Sequence, residues 1–341
     1  MKAWTLAIAA LLGLAVTAPA LAGQTLDTVR KRGQLVCGAH TGLGGFGAPD
    51  DKGVWRGLDI DVCRAVAAAV FGDSGRVRYV PLSAQQRLTS LQAGEIDLLP
   101  RNTTWTLTRE GSNGLLFAGI DFYDGQGFLV AKKLGVKSAR DLNGATVCVQ
   151  TGTTSELNLA DFARANRIEL KPVTIESFES AAAAFVAGRC DAFTSDASQL
   201  AAVRANQTPD PAGYDILPER ISKEPLAIAV RQGDDQWFNL VKWVFQAMLA
   251  AEELGITSAN VDQMTRSPDP NIQRLLGVTP GPGPGRALGL DDKWAYAIIK
   301  QVGNYGESYE RNLGAGSKLK LERGLNALWS QGGLMYPLPI R

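Results

Sequence analysis

A single histidine, His40, stands in a chain of 341 residues. That scarcity argues against a zinc site, and any Ser-His-Asp relay would have to run through His40, beside which no base partner is evident. Cysteine is nearly as scarce. Cys37, Cys63, Cys148 and Cys190 include no C-x-x-C pair, so neither a metal nor another cofactor is expected. Neither sign of charge is in excess: 35 basic residues face 34 acidic ones with no basic tail or stripe, which speaks against nucleic acid and anionic membranes as partners. Apolar runs of the roughly 20 residues needed to cross a bilayer are missing too. The apolar stretch 6–16 is shorter, and it lies between Lys2 and the small-x-small site Ala20-Leu21-Ala22. Residues 1–22 therefore read as a secretory signal peptide, and the remaining chain as an exported protein.

What remains is long enough for two domains. In an oxidising compartment the four cysteines are expected to form two bridges, and their spacing alone leaves three pairings open. The stretch that organises the rest is Arg101-Asn102-Thr103-Thr104-Trp105-Thr106-Leu107-Thr108-Arg109. It follows an apolar run over 96–99 that reads as a strand, and it packs two guanidiniums, one amide and four hydroxyls together with almost no acid. A guanidinium meets a carboxylate with two parallel bonds, so this density of donors suits a small carboxylate-bearing molecule. If Thr106 opens a helix, Arg109 lies in its first turn, where free backbone N–H groups also favour an anion.

The pattern on either side alternates strand and helix. Residues 24–31 read as a short polar helix and 34–38 as a strand, followed by the glycine-rich loop His40-Thr41-Gly42-Leu43-Gly44-Gly45-Phe46. No Lys-Ser/Thr follows that loop, so it is no phosphate cradle; its glycines let backbone N–H groups and the Phe46 ring approach a ligand. Leu58, Val62, Val66 and Val70 recur every four residues along a helix whose first-turn acids suit its dipole. A strand at 78–81, a helix at 85–92 and the strand at 96–99 complete a βαβαβ unit and hence a doubly wound parallel sheet. Residues 117–124 read as a loop. A second such unit follows: a short helix at 138–142, strands at 145–150, 170–174 and 189–194, and helices at 155–165 and 177–187. Thr154 and Asp196 fall at the carboxyl ends of its strands, where open α/β sheets bind ligands. Apolar strands at 127–132 and 225–231 read as the two crossings between lobes. A long helix at 237–254 returns the chain to the first lobe, with Trp243, Phe245 and Met248 in its core. Thr-Pro-Gly-Pro-Gly-Pro-Gly over 279–285 reads as a linker, and helices at 291–302 and 319–329 have only a packing role.

These residues resemble a known family. Gly57-Leu58-Asp59-Ile60-Asp61-Val62-Cys63-Arg64-Ala65-Val66-Ala67-Ala68-Ala69-Val70 is similar, position by position, to the signature of the family 3 solute-binding proteins, which carry polar amino acids to membrane transporters. The block 101–127, Val147-Cys148-Val149-Gln150-Thr151-Gly152-Thr153-Thr154, Ile221-Ser222-Lys223-Glu224-Pro225-Leu226 and the run 229–237 resemble its general L-amino-acid-binding subgroup, as does the extension past Gly277. The resemblance implies a two-lobed type II periplasmic binding protein fold, each lobe a mainly parallel sheet flanked by helices, with a two-strand hinge. Lobe 1 would comprise 23–126 and 227–341, with 277–341 as its extension, and lobe 2 would comprise 127–226. On that fold Cys37 would pair with Cys63, tying the first strand to the first helix, and Cys148 with Cys190, tying two strands of the second lobe.

The same resemblance makes Arg109 the clamp for an α-carboxylate, with Asn102 and Thr104 as the turn groups that share it. Gly152 to Thr154 would supply backbone N–H and a hydroxyl from the second lobe, with Gln150 beside them. Asp196 would hold the α-ammonium, while Asp191 matches a structural aspartate. Two positions depart from the relatives. His40 falls where they carry an acid, and Ala84 near where they carry a stacking aromatic, which implies a wider pocket and broad specificity. Arg101 and His40 lie where a side chain would project, and Arg101 would favour Glu, Gln, Asp and Asn. The implied function is that of the periplasmic binding component of an amino-acid ABC transporter: a monomer, not an enzyme, that closes its lobes on an L-amino acid and hands it to permease subunits in the inner membrane. A rival on the same scaffold is a periplasmic cyclohexadienyl (arogenate/prephenate) dehydratase, which needs a general acid over the leaving group. Glu156 is the acid near the second-lobe turn, but it sits just inside a helix, where capping accounts for it.

Overall fold

The computed structural model describes residues 24–341, so the expected signal peptide lies outside the described residues. Helix α1 (Gln24–Arg32) leads to β1 (Leu35–Ala39), and a glycine-rich loop with the short pair β2 (Ala48–Pro49) and β3 (Trp55–Arg56) precedes α2 (Leu58–Phe71). Next come β4 (Val77–Pro81), α3 (Gln86–Gln92), α4 (Leu107–Ser112) and the long β5 (Leu115–Asp124). The middle of the chain runs β6 (Gln126–Ala131), β7 (Thr146–Gln150), α5 (Thr154–Asn166), β8 (Lys171–Ile175), α6 (Phe178–Val186), β9 (Ala192–Asp196), α7 (Ala197–Asn206) and β10 (Tyr214–Ile216). Strand β11 (Glu224–Arg231) and helix α8 (Asp235–Glu253) lead to α9 (Val261–Met264), α10 (Pro270–Leu276), α11 (Trp294–Gln301) and α12 (Tyr305–Asn312).

The strands form two lobes. In the second the order is β10-β6-β9-β7-β8, with β7 parallel to β8 and β9, and β6 antiparallel to both its neighbours. In the first, β4 pairs in parallel with β1. Residues 96–99 bridge onto β1 at Cys37–Leu98 and onto β11 at Leu99–Ala229, and β5 pairs antiparallel with β11. Residues 96–99 thus make isolated bridges rather than the full strand expected. One strand in each lobe runs against the rest, β6 in the second and β11 in the first. Both arrive from the other lobe, so they start at the edge where the β-to-α strands end.

Two expectations are corrected. Residues 117–124 are not a loop but most of β5. Gly119 and two register shifts in its partner, at Leu226/Ala227 and Ile228/Ala229, break the alternation of buried and open positions that a period of two requires. Residues 319–329 are not a helix: Lys320 (φ 49°) and Gly324 (φ 48°) adopt left-handed backbone, and only Gly324–Asn326 makes a 3₁₀ turn before a second at Trp329–Gln331. The cysteines form Cys37–Cys63 and Cys148–Cys190, with S–S distances of 1.97 and 2.00 Å. Cys190 lies in the bend before β9 rather than in a strand. Asp191 beside it is structural, its Oδ2 accepting from the Thr146 backbone N–H and hydroxyl at 2.8 and 2.7 Å.

Helix α2 buries its apolar stripe beneath α8 and α11, Phe245 and Met248 of α8 are buried, and Trp243 packs at the edge of the same core. The C-terminal extension is fastened to this core by polar contacts. Asp61 Oδ2 on α2 accepts from Ser308 Oγ, Arg311 Nη2 and Asn312 Nδ2 at 2.7, 2.6 and 2.7 Å. Farther along, Tyr305 Oη donates to the Asp121 carbonyl at 2.8 Å, and the Asn326 amide exchanges two hydrogen bonds with the Tyr123 backbone at 2.6 and 3.1 Å. The extension therefore braces the end of β5, next to the crossing. Gly125 lies on that crossing, where a Cβ would stand 2.8 Å from the Ser222 carbonyl oxygen. Asp61→Ala leaves the buried Ser308 hydroxyl and the half-buried Asn312 amide without their acceptor and should cost about 1–3 kcal/mol in chemical denaturation, with α12 losing hydrogen-exchange protection first.

Candidate functional site

The segment after Leu99 is shaped by its own polar groups. Asn102 takes left-handed backbone (φ 39°), the Thr103 hydroxyl donates to the Arg101 carbonyl at 2.9 Å, and Thr104 bridges onto Leu226 of β11. Thr106 caps α4, its hydroxyl accepting from the Arg109 backbone N–H at 3.2 Å. That N–H is thus occupied, and an anion would meet the Arg109 guanidinium instead. The guanidinium folds back so that Nη1 donates to the Thr104 carbonyl at 2.8 Å.

Three arginines are buried here. Arg101 is 2% exposed; its Nε donates to the Leu82 carbonyl at 2.8 Å and its Nη2 has no partner. Burial pulls its pKa down to about 10, against the pull of Asp59 and Glu179. Arg87 was not among the residues expected. From α3 its Nη1 donates to the carbonyls of Arg101 and Asn102 at 3.0 and 2.8 Å, holding the loop in place. Burial, then the like charges of Arg109 and Arg101, lower its pKa well below the usual value, while Asp196 and Glu224 oppose the shift. Arg109 is also lowered by burial and supported by Glu224 and Asp196.

Acids answer them from both lobes. Asp196 ends β9, accepts from Gln199 Nε2 at 2.9 Å, and is raised well above the ordinary carboxylate range by burial and then by Asp124 and Glu224. Arg87 and Arg109 pull it back, so the expected carboxylate clamp and the expected ammonium holder lie within one electrostatic cluster. Asp59, in the first turn of α2, is likewise raised by burial and by Asp121. Buried polar atoms without partners gather among these residues: Asp59 Oδ2, Arg87 Nε, Arg101 Nη2, both ends of the Asn102 amide, and Gln126 Oε1 beside the crossing. Each such atom costs about 1–3 kcal/mol unless something else satisfies it. A small molecule bearing donors and acceptors would do so.

The lobes are closed on each other. Thr41 Oγ1 of the first lobe donates to Glu179 Oε1 of the second at 2.6 Å, and the His40 ring packs edge-on against Phe178 at 5.4 Å. His40 is buried; its Nδ1 accepts from the Gly42 backbone N–H at 3.1 Å, so the neutral ring carries its proton on Nε2. Burial, then Arg101 and Arg87, hold its pKa well below 6.5. At Gly152 (φ 73°) a Cβ would come within 2.6 Å of Gln85 Cγ on the opposite lobe.

Several expected contacts are taken up inside the protein. The hydroxyls of Thr104 and Thr154, expected to serve a ligand carboxylate, both donate to Glu224 Oε2 at 2.6 and 2.9 Å. The Gly152 N–H donates to Glu156 Oε2 at 2.9 Å, which also gives Glu156 a role in its own turn. Gln150 ties its strand to the Glu176 carbonyl at 3.0 Å. Phe46 packs edge to face on Phe122 at 5.3 Å, so core packing rather than a ligand accounts for its burial. Arg101, Arg109 and Asp196 lie within electrostatic reach of one another, with Asn102 next to Arg101. Glu224 and Arg87 were missed because each reads in sequence as an ordinary polar position, one opening an apolar strand and the other on a helix beside Leu88 and Leu91.

Lobes that meet over such a cleft and are joined by two crossing strands make this a type II periplasmic binding protein. The chain belongs to the bacterial extracellular solute-binding proteins, family 3, whose model matches residues 35–259. It is 53% identical over 328 residues to the general L-amino acid-binding periplasmic protein AapJ of Rhizobium johnstonii, covering 96% of each chain. It is 52% identical over 328 residues to the glutamate/glutamine/aspartate/asparagine-binding protein BztA of Rhodobacter capsulatus, again covering 96% of each. A solved ABC transporter periplasmic binding protein from Brucella ovis, with glutathione bound, matches with a TM-score of 0.91 at 54% identity, covering 93% of this chain and 99% of that one.

Gly152→Ala should hinder closure through both the Gln85 contact and the positive φ, and calorimetry should show weaker ligand binding with the fold retained. His40 binds fewer protons folded than unfolded as the pH drops below 6.5, so it removes stability in that direction. Thermal unfolding at pH 7 and pH 5 should therefore show a smaller acid loss in His40→Gln than in the wild type.

Proposed function

We propose that the protein is the periplasmic binding component of an amino-acid ABC transporter, capturing polar L-amino acids with Glu, Gln, Asp and Asn favoured. The observation that carries this reading is the pairing of buried opposite charges across the cleft, Arg109 from one lobe and Asp196 from the other. A zwitterion needs one fixed cation and one fixed anion, each relieved of water, and only closed lobes offer both. Ligand thus shifts the population toward the closed form, because it binds that form better. The permease subunits in the inner membrane would then receive loaded protein. Arg101, with a free buried Nη2 and no carboxylate bonded to it, suits a ligand side chain ending in a carboxylate or amide.

AapJ, a general L-amino acid-binding protein, and BztA, which binds glutamate, glutamine, aspartate and asparagine, support the ligand class. We read the protein as an exported monomer; among the described residues no helix is long and apolar enough to cross a membrane. The dehydratase reading is disfavoured because Glu156 is engaged in its own turn. A second ligand deserves a place beside the amino acids. The Brucella ovis relative holds glutathione, whose γ-glutamyl head presents the same α-carboxylate and α-ammonium.

A thermal-shift screen of the proteinogenic amino acids and glutathione should rank the polar four highest, since a ligand at about 100 times its Kd adds roughly 2.7 kcal/mol. Arg109→Ala and Asp196→Ala should each lose about 2–5 kcal/mol of glutamate binding by calorimetry. Wild-type affinity in either variant would place the corresponding end of the zwitterion elsewhere.

A further inference from the structure

Thr104 of the first lobe and Thr154 of the second face each other with their hydroxyl oxygens 3.4 Å apart. Both donate to one oxygen, Glu224 Oε2, at 2.6 and 2.9 Å. The other oxygen, Oε1, accepts from Asn158 Nδ2 of α5 at 2.7 Å and from Ser222 Oγ at 2.5 Å. Glu224 is 1% exposed and is the first residue of β11, opposite Asp124 on the crossing. Four donors converge on one carboxylate, and they come from both lobes and from the segment leading into β11.

We propose that Glu224 is a positioning residue and a closure latch for the ligand site. Its carboxylate ties Thr104 to Thr154 and Asn158 only when the lobes are together, so it favours the closed form before any ligand arrives. It also fixes what the two hydroxyls can offer. A hydroxyl has one proton and two acceptor positions, and here both protons are committed to Glu224. The lone pairs left over suit an ammonium, not a carboxylate. The α-carboxylate of the ligand then falls to the guanidinium of Arg109, and the α-ammonium to Asp196 helped by the two threonines. Glu224 and Asp196 both act on Arg109, so the cleft is not a bare cation and prefers a zwitterion to a simple anion. This ligand assignment rests on the reading given under the proposed function; the latch itself does not.

The test uses the full mature chain and the variants Glu224→Ala and Glu224→Gln, with circular dichroism to verify the fold. Small-angle X-ray scattering without ligand should show a larger radius of gyration in both variants than in the wild type. Calorimetry should show glutamate affinity reduced about tenfold or more, as expected for loss of a charge-assisted buried hydrogen bond. The preference for glutamate over glutarate, which lacks the ammonium, should shrink as well. Unchanged scattering together with glutamate affinity within about threefold of wild type would overturn the proposal. If the wild type binds no amino acid, the ligand reading falls and scattering alone decides the latch. If the Glu224 variants do not fold, Thr154→Val removes one donor of the latch and must open the ligand-free particle in the same way, or the latch is refuted.

Discussion

Everything in this molecule follows from keeping charges of both signs buried between two lobes. Arg87, Arg101 and Arg109 on one side, with Asp196 and Glu224 opposite or beside them, could not persist in the cleft singly, because an isolated buried ion is too costly. They persist because backbone carbonyls, hydroxyls and one another satisfy most of their polar atoms. The remainder, the free ends of Arg101, Asn102 and Asp59, have no hydrogen-bond partner within the protein. The cleft is thus neither a finished core nor a solvated surface, and this intermediate state is what lets a small polar molecule tip the balance toward closure.

The scaffold serves that balance by separating rigid parts from moving ones. The second lobe holds a five-stranded sheet and the first holds strand pairs linked through residues 98 and 99, while one apolar cluster runs through both; at the crossing, Gly125 leaves no room for a Cβ beside the Ser222 carbonyl. The C-terminal extension reinforces one side of the crossing through Tyr305 and Asn326. Closure is then concentrated in a few backbone torsions instead of being spread through either sheet.

Much of this was legible in the sequence. Alternating strand and helix patterns and the donor-rich stretch 101–109 follow from local chemistry that any window of residues reveals, whereas the strands read as crossings lie within the sheets, β6 between β9 and β10 and β11 beside β5. Less legible was whatever depends on a partner distant in the chain. Strand β5 hid its period behind Gly119 and the irregular register of β11. Glu224 announces nothing until Thr104 and Thr154, 120 and 70 positions away, are seen to donate to it. Gln150 and Gly152 sit where the site was expected, yet Gln150 donates to the Glu176 carbonyl and Gly152 to Glu156 of its own turn. Proximity to a strand end is therefore an insufficient sign of a ligand contact.

The order of the two disulfides bears on how the chain matures. Cys37 joins Cys63 and Cys148 joins Cys190, so each thiol is bonded to its neighbour along the sequence and each bridge stays within a single half. A chain threaded outward from its amino end would present these thiols in pairing order, and an oxidant acting on them as they emerge would make the native bonds without reshuffling. Both covalent staples would be in place before the last third of the polypeptide arrived, and neither would restrain the motion between the halves.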